Sequence, residues 1–304
     1  MPPNNRLQVE VEGRRLSLSN LDKVLYPRAG FTKGQVIDYY TRIAPAVLPH
    51  LRGRPLTLKR YPNGVEAGYF YEKQCPSHRP EWVRSARVQM RGEKAIQFCL
   101  CDDLPTLVWL ANLADLELHP SLAFAADVTS PAILAFDLDP GEPATIVECA
   151  EVAVRLRAAL MTLGLEAFPK TSGSKGMQVY VPLNTPTSYD ATKPFARALA
   201  QVLERAEPNL VVSEMAKVRR KGKVFVDWSQ NDEHKTTVGV YSLRARDQPT
   251  VSTPLTWDEV EAVRVSRDPD ELVFTSADVL GRVARHGDLF APVATLEQEL
   301  PKLG

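Results

Sequence analysis

Apolar positions along this chain change their period several times, and each change marks an element. "TKGQVIDYYTRIAPAVLPHL" (32–51) repeats apolar residues every three or four positions behind a threonine, which predicts a helix with Thr32 as its N-cap. Short apolar runs broken by Pro/Gly turns such as "YPNGVEAGYF" predict strands around it. "TLVWLANLADLELH" (106–119) keeps helical spacing and predicts a second helix, and residues 121–132, with Pro, Ser and Thr, read as a connector. Beyond that point "AILAFDLD" predicts a strand, and "ATIVECAEVAVRLRAALMTLG" an amphipathic helix with Gly164 at its C′ position. "KTSGSKG" is a loop. "MQVYVPL" is a strand alternating Met177, Val179 and Val181 against Gln178 and Tyr180. "SYDATKPFARALAQVLERA" is a helix, and strands follow at "LVVSE" and "KVFVDWSQ". Strand–helix–strand units with a later strand pairing back predict an α/β domain with a mixed sheet, against which a smaller amino-terminal lobe packs.

Alternation places chemistry on one face of two of these strands. In "LAFDLD", Leu134, Phe136 and Leu138 share one face, while Ala135, Asp137 and Asp139 share the other. In "VFVDWSQ", Val224, Val226 and Trp228 fill one face, and Asp227 with Phe225 interrupts the other. A carboxylate loses several kcal/mol on leaving water unpartnered. Either the first strand simply ends in a turn, or something positive sits above it. If the two strands are neighbours, three carboxylates converge and raise one another's pKa unless a cation intervenes. Mg²⁺ or Mn²⁺, hard ions with oxygen ligands, suit such a site, and two of them can hold the attacking and leaving oxygens of a phosphoryl transfer. Phosphatases with a nucleophilic Asp-x-Asp want Thr or Val where Gly141 stands; sugar transferases that use the same pair stay open at this point.

The loop "KTSGSKG" (170–176) offers small residues that let backbone N–H groups turn toward an anion, hydroxyls from Ser172 and Ser174, and the charge of Lys175. It is either a flexible connector or a triphosphate cradle. No Gly-Lys-Ser/Thr occurs in the chain, so it is not a Walker A loop.

Composition changes this picture little and charge distribution changes it more. The 304 residues are 44% hydrophobic and 24% charged, ordinary for a soluble globular chain. No apolar run approaches a membrane span, the amino terminus has no apolar signal core, and the four cysteines suit a reducing cytosol. Net charge is zero, yet ten Lys/Arg between Arg14 and Arg60 face only Asp22 and Asp38, and "EMAKVRRKGK" sets five cations against one acid. Two basic segments balanced by acids elsewhere favour a polyanion site. "CPSH" (75–78) and "CLC" (99–101) have unusual spacing for structural zinc, and packed or surface thiols are expected there. His50, His78, His234 and His286 carry no motif.

Taken together, "FDLDPG", "TSGSKG" before "MQVYVP", and "KVFVDWSQN…KTTVGVYSLR" resemble the polymerase domain of bacterial multidomain DNA ligases of nonhomologous end joining, within the archaeo-eukaryotic primase superfamily. "LSNLDKVLYP", "GRPLTLKRYPNG", "FYEKQ" and "LELHP" extend the likeness over roughly residues 15–290. The resemblance implies one primase-polymerase domain over 1–304, of α+β class. Its largely antiparallel central sheet would be flanked by helices, with an amino-terminal DNA-contacting lobe at 1–130 and a catalytic lobe at 131–304. It implies that Asp137, Asp139 and Asp227 hold two divalent ions, Mn²⁺ preferred over Mg²⁺, with Asp227 also assisting the incoming 3′-hydroxyl. Ser172, Ser174, Lys175, His119 and Arg244 would grip the triphosphate of the incoming nucleotide. Lys23 and Lys33, with Asn20 nearby, would bind a 5′-phosphate; Lys59 and Arg60 would add backbone contacts; and Phe70 would stack on the template base, followed here by Tyr71 where relatives often have a second phenylalanine.

The implied activity is template-dependent nucleotidyl transfer, with ribonucleotides preferred, at gapped or broken duplex DNA. A DNA ligase and an end-binding protein such as Ku would be partners, in the cytoplasm on the nucleoid. A non-catalytic end-bridging module and a primase that starts chains without a 3′ end are the alternatives. The chain has no Lys-x-Asp-Gly, the adenylation motif of ligases, so sealing a nick is not expected of it.

Overall fold

The computed structural model describes residues 6–92 and 94–301, so the first five positions of the amino-terminal stretch lie outside the described residues. The chain opens with a hairpin of β1 (Arg6–Val11) and β2 (Arg14–Ser19), then a short pair, β3 (Val24–Tyr26) and β4 (Phe31–Thr32). α1 (Lys33–Leu51) follows as predicted. Thr32 accepts from the Gln35 backbone N–H while the Gln35 side chain accepts from that of Thr32, a reciprocal cap on two otherwise orphaned donors. β5 (Leu56–Arg60) is the middle of a sheet in which it pairs with β6 (Phe70–Glu72), with β8 (Ile96–Cys99), itself paired with β7 (Ser85–Val88), and with β9 (Asp115–Pro120).

Here the structure corrects the reading of 106–119 as one helix. α2 (Leu104–Asn112) stops after Asn112, Ala114 takes a left-handed φ of 57°, and "DLELHP" becomes β9. The run is apolar on both periods, so spacing alone could not separate helix from strand. The expected connector at 121–132 is likewise a small hairpin of β10 (Ala123–Phe124) and β11 (Asp127–Pro131). The four-thiol expectation also fails: Cys75 and Cys99 form a disulfide, because the Cys75 N–H bonds to the Gln97 carbonyl and lays residue 75 beside β8. Cys101 and Cys149 are free and buried.

The second sheet runs, in spatial order, β13 (Phe168–Thr171), β14 (Met177–Pro182), β12 (Ile133–Pro140), β16 (Val224–Asp227) and β15 (Val211–Val212). Every pairing is antiparallel except β15 with β16, so the sheet is mixed and largely antiparallel. Leu134, Phe136 and Leu138 of β12 pack against Cys149 and Leu156 of α3 (Ile146–Thr162), Phe195 and Leu199 of α4 (Tyr189–Ala206) and Val260 of α5 (Trp257–Ser266). Ala135 and Tyr180, on the other side of the sheet, join the core that holds α1, α2 and β5. That second core also takes Tyr241 and Leu243, then Val279 of α6 (Ser276–His286) and Val293 of α7 (Ala291–Thr295), so the chain's last third helps close the core around α1, α2 and β5. No helix among the described residues is long and apolar enough to cross a membrane.

Candidate active site

The strand register answers whether the two acidic strands are neighbours: Asp137 of β12 lies directly opposite Asp227 of β16. Residues opposite one another in an antiparallel pair project to the same face, with Cβ atoms about 5 Å apart. Asp139, two positions on, shares that face. Each carboxylate has a protein donor. Gln178 Nε2 donates to Asp137 Oδ1 at 3.0 Å, and the Ser229 N–H and hydroxyl donate to Asp227 Oδ1 at 2.9 and 2.5 Å. Gln230 Nε2 donates to Asp227 Oδ2 at 2.9 Å, and Arg220 lies 3.4 Å from Asp139. Among the described residues no three His, Cys, Asp or Glu side chains are already drawn to metal-holding distance, so the three aspartates share a surface while their oxygens face these donors. Burial, then repulsion from Asp227 and Asp139, pushes the Asp137 carboxyl up to about 6 against the pull of Gln178 and Lys170. Three hard-oxygen donors crowded until one resists ionisation suit a divalent cation, whose charge would remove that penalty.

β16 stops at Asp227, where a 3₁₀ turn begins, and Asn231 completes the edge the strand leaves open. Its Oδ1 accepts from the Ala135 N–H at 2.9 Å and its Nδ2 donates to the Ala135 carbonyl at 2.7 Å. Asn231 is fully buried and ties the two acidic strands together.

The "KTSGSKG" loop joins β13 to β14 beside β12. The Ser174 and Gly176 N–H groups both point at Ser172 Oγ, each at 3.2 Å, an inward-turned nest of backbone donors. Gly173 sits at φ +66°, and a Cβ there would meet the Val251 carbonyl carbon at 2.6 Å; one on Gly176 would meet the Leu138 carbonyl oxygen at 2.2 Å. Lys175 is exposed and pairs with Glu142 at 2.9 Å. Arg244 Nη1 donates to the Ser172 carbonyl at 2.5 Å, and Arg246 bonds to the Ser174 hydroxyl. A cavity of about 250 Å³ opens between this loop and the aspartates, lined among others by His119, Asp139, Ser172, Lys175, Arg244 and Arg246. All five residues expected to grip a triphosphate therefore border one cavity with Asp137 and Asp139. Asp227 reaches it through Gln230, which also lines it.

Away from this cavity, Lys23 and Lys33 are brought together by the β3–β4 turn, where the Lys33 N–H bonds to the Lys23 carbonyl and the Lys23 N–H to that of Asn20, itself at φ +55°. Lys33 is almost fully buried, its ammonium on the Ser19 carbonyl at 2.7 Å. Burial first, then the charges of Lys23 and Arg60, lower its pKa to about 8. Lys59 and Arg60 of β5 are engaged inside the protein, at 3.1 Å from Glu117 and 2.6 Å from Glu72. Phe70 of β6 is 43% exposed between the still more exposed Tyr69 and Tyr71, with the Arg60 guanidinium 5.1 Å above its ring.

Sequence reasoning missed Gln178, Gln230, Asn231, Arg246 and Glu117. Gln178 was read only as a strand position, Arg246 lies two residues beyond Arg244 in a bend, and Glu117 was hidden by reading β9 as helix.

Residues 32–290 match the family described as the LigD primase-polymerase domain. The chain is 44% identical, over 281 residues, to the multifunctional non-homologous end joining protein LigD of Mycolicibacterium smegmatis, covering 92% of this chain and 36% of that protein. It is 45% identical over 295 residues to the LigD of Mycobacterium tuberculosis, covering 92% of this chain and 38% of that one. The chain thus spans little more than a third of the length of these relatives. A solved structure of the polymerase domain of Mycobacterium tuberculosis ligase D in complex with DNA matches with a TM-score of 0.86 and 41% identity, over 93% of this chain and 99% of that chain. By the extent of the matching residues, and by a fold that agrees almost end to end, the chain belongs to the LigD primase-polymerase domain family.

Proposed function

We propose that this chain is a template-dependent nucleotidyltransferase that extends a 3′ end across a short gap or break in DNA while anchored on a 5′-phosphate. One observation carries the reading: Asp137 and Asp227 face each other across β12 and β16, with Asp139 beside them, at the mouth of a cavity walled by the Ser172–Gly176 nest. Carboxylates next to an anion-binding nest are a self-defeating arrangement unless cations lie between them.

Asp137, Asp139 and Asp227 would hold two divalent ions, Mn²⁺ or Mg²⁺. When bound, such ions neutralise charge on the attacking and departing oxygens of a phosphoryl transfer. The chain's own residues do the rest. Gln178 and Gln230 orient the first and last of the three carboxylates by donating to one oxygen of each. The Ser172 and Ser174 hydroxyls, the former held by the Ser174 and Gly176 N–H groups, form with Arg244, His119 and Lys175 a donor-rich wall for the triphosphate of an incoming nucleotide, and fixed donors of this kind also stabilise the charge on departing pyrophosphate. Lys23 and Lys33, with Asn20, make a separate cationic turn suited to a 5′-phosphate, and Phe70 offers an exposed ring for a template base. A ribonucleotide preference, a role in end joining and work alongside a ligase and a Ku-like end-binding protein, on the nucleoid in the cytoplasm, complete the proposal. The matched mycobacterial relatives, which are non-homologous end joining proteins, support the end-joining part.

The test is extension on a duplex with a 5′-phosphorylated gap, given each nucleotide type with Mn²⁺ or Mg²⁺. The wild-type chain extends the primer and Asp137→Ala/Asp139→Ala does not. Extension by the double variant ends the proposal, and products on unprimed template would point to a primase instead.

A further inference from the structure

Glu117 is almost fully buried on β9, and groups from several segments converge on its one carboxylate. Lys59 Nζ of β5 lies 3.1 Å from Oε2, and His119 Nε2 3.2 Å from the same oxygen. The Tyr61 hydroxyl donates to Oε1 at 3.2 Å and the Ala245 N–H at 3.1 Å. Arg244 Nε sits 3.3 Å from Oε2, an ion pair without hydrogen-bond alignment. A carboxylate accepts about four hydrogen bonds, so this one is saturated. Burial opposes its ionisation, but the His119 hydrogen bond and the charges of Arg244, His119 and Lys59 outweigh that and hold the Glu117 carboxyl well below the usual range.

Two of these partners, His119 and Arg244, border the cavity beside the aspartates, and Arg244 also reaches the Ser172 carbonyl of the nest. Glu117 itself does not line that cavity. Lys59 and Arg244 together carry two positive charges against its single negative one, so the cluster keeps a surplus of positive charge, and Arg244 is the cation of the pair that borders the cavity. We infer that Glu117 is the positioning residue for the triphosphate wall: it clamps His119 and Arg244, which come from segments more than a hundred residues apart, at one fixed separation, and so presets the site for a polyanion. The inference rests on the nucleotide-site reading above.

The experiment compares Glu117→Gln, His119→Ala, Arg244→Ala and the double Glu117→Gln/Arg244→Ala with wild type. Binding of a non-hydrolysable nucleoside triphosphate with Mn²⁺ is titrated, and KM and kcat are measured on gapped DNA. Gln keeps the shape and removes the charge, leaving Arg244 and Lys59 underpartnered. Nucleotide Kd and KM should rise roughly tenfold to a hundredfold, with kcat changing much less. The double variant should bind more tightly than the two single losses combined would give, because both changes break the same clamp and Glu117→Gln then adds only the loosening of His119. The preference for a 5′-phosphorylated over a 5′-hydroxyl gap, set at Lys23 and Lys33, should stay, which a general loosening of the fold would not allow. If Glu117→Gln binds nucleotide as wild type does while His119→Ala and Arg244→Ala bind weakly, the positioning role is overturned and the nucleotide site stands. If His119→Ala and Arg244→Ala also bind as wild type, the nucleotide-site reading itself falls. Should Glu117→Gln not fold, Glu117→Asp, charged but one methylene short of its partners, is read by the same criteria.

Discussion

Replacing Lys33 by methionine removes an ammonium that the fold holds at a disadvantage. Its pKa falls from an ordinary 10.5 to about 8, chiefly through burial and secondarily through Lys23 and Arg60. A difference of about 2.5, at about 1.4 kcal/mol for each unit of pKa, puts the cost of keeping Lys33 charged at about 3.5 kcal/mol at neutral pH. Losing the bond to the Ser19 carbonyl offsets about 1 kcal/mol of that. A cation on the first residue of α1 is also unfavourable to the helix dipole, which points the same way. Lys33→Met should therefore be more stable than wild type at pH 7 by about 2.5 kcal/mol.

The sign with pH follows from the depressed value. Between about 8 and 10.5 the unfolded chain holds a proton on this lysine that the folded chain does not, so wild-type stability gains with rising pH across that window and the variant's does not. Function moves oppositely: a 5′-phosphate needs the charged form, so phosphate preference should decline above about pH 8 in wild type and be lost at every pH in the variant. Urea denaturation at pH 7 and pH 10, with anisotropy on 5′-phosphorylated and 5′-hydroxyl gapped duplexes, reads both. A variant less stable than wild type at pH 7, or one that keeps the phosphate preference, would refute this reasoning.

Three other substitutions separate architecture from contact. Asn231→Ala leaves the Ala135 N–H and carbonyl unpaired in the core and should cost roughly 1–3 kcal/mol for each group stranded, seen in denaturant midpoints; a near-neutral result would remove Asn231 as the tie between the acidic strands. Gly173→Ala forces a left-handed residue, at about 1–2 kcal/mol, and drives a Cβ into the backbone at Val251. Nucleotide affinity should fall together with the melting temperature, and an unaltered Kd would mean the nest does not contact the ligand. Phe70→Ala touches an exposed ring, so stability should change little while affinity for gapped template drops by about 1–3 kcal/mol, as band shift or anisotropy would show.

How far the sequence announced this molecule depends on the kind of signal. Asp137, Asp139 and Asp227 were legible because polar residues interrupting two apolar strands on one face obey the two-residue period of a strand, and the register then paired residue 137 with residue 227. α1 was legible through its cap, Thr32, and α3 through its amphipathic period and the closing Gly164. β9 was not: "LANLADLELH" satisfies the helical and the strand period at once, and the left-handed turn at Ala114 that ends α2 has no glycine to mark it. With β9 misread, Glu117 and His119 could not be set on one face, and the clamp between them stayed invisible. Lys33 was named for its charge, but its burial depends on the β2 and β3–β4 segments folding over it, which no local pattern reports. The Cys75–Cys99 pair depends on a loop laid beside β8, a tertiary event of the same kind.

Counting Mn²⁺ ions bound per chain in the presence of a non-hydrolysable nucleoside triphosphate bears most directly on the three facing aspartates. Wild type should bind two, and Asp227→Asn should bind fewer and hold the nucleotide more weakly. Nucleotide binding that needs no divalent ion, or Mn²⁺ binding that Asp227→Asn leaves unaltered, would contradict it.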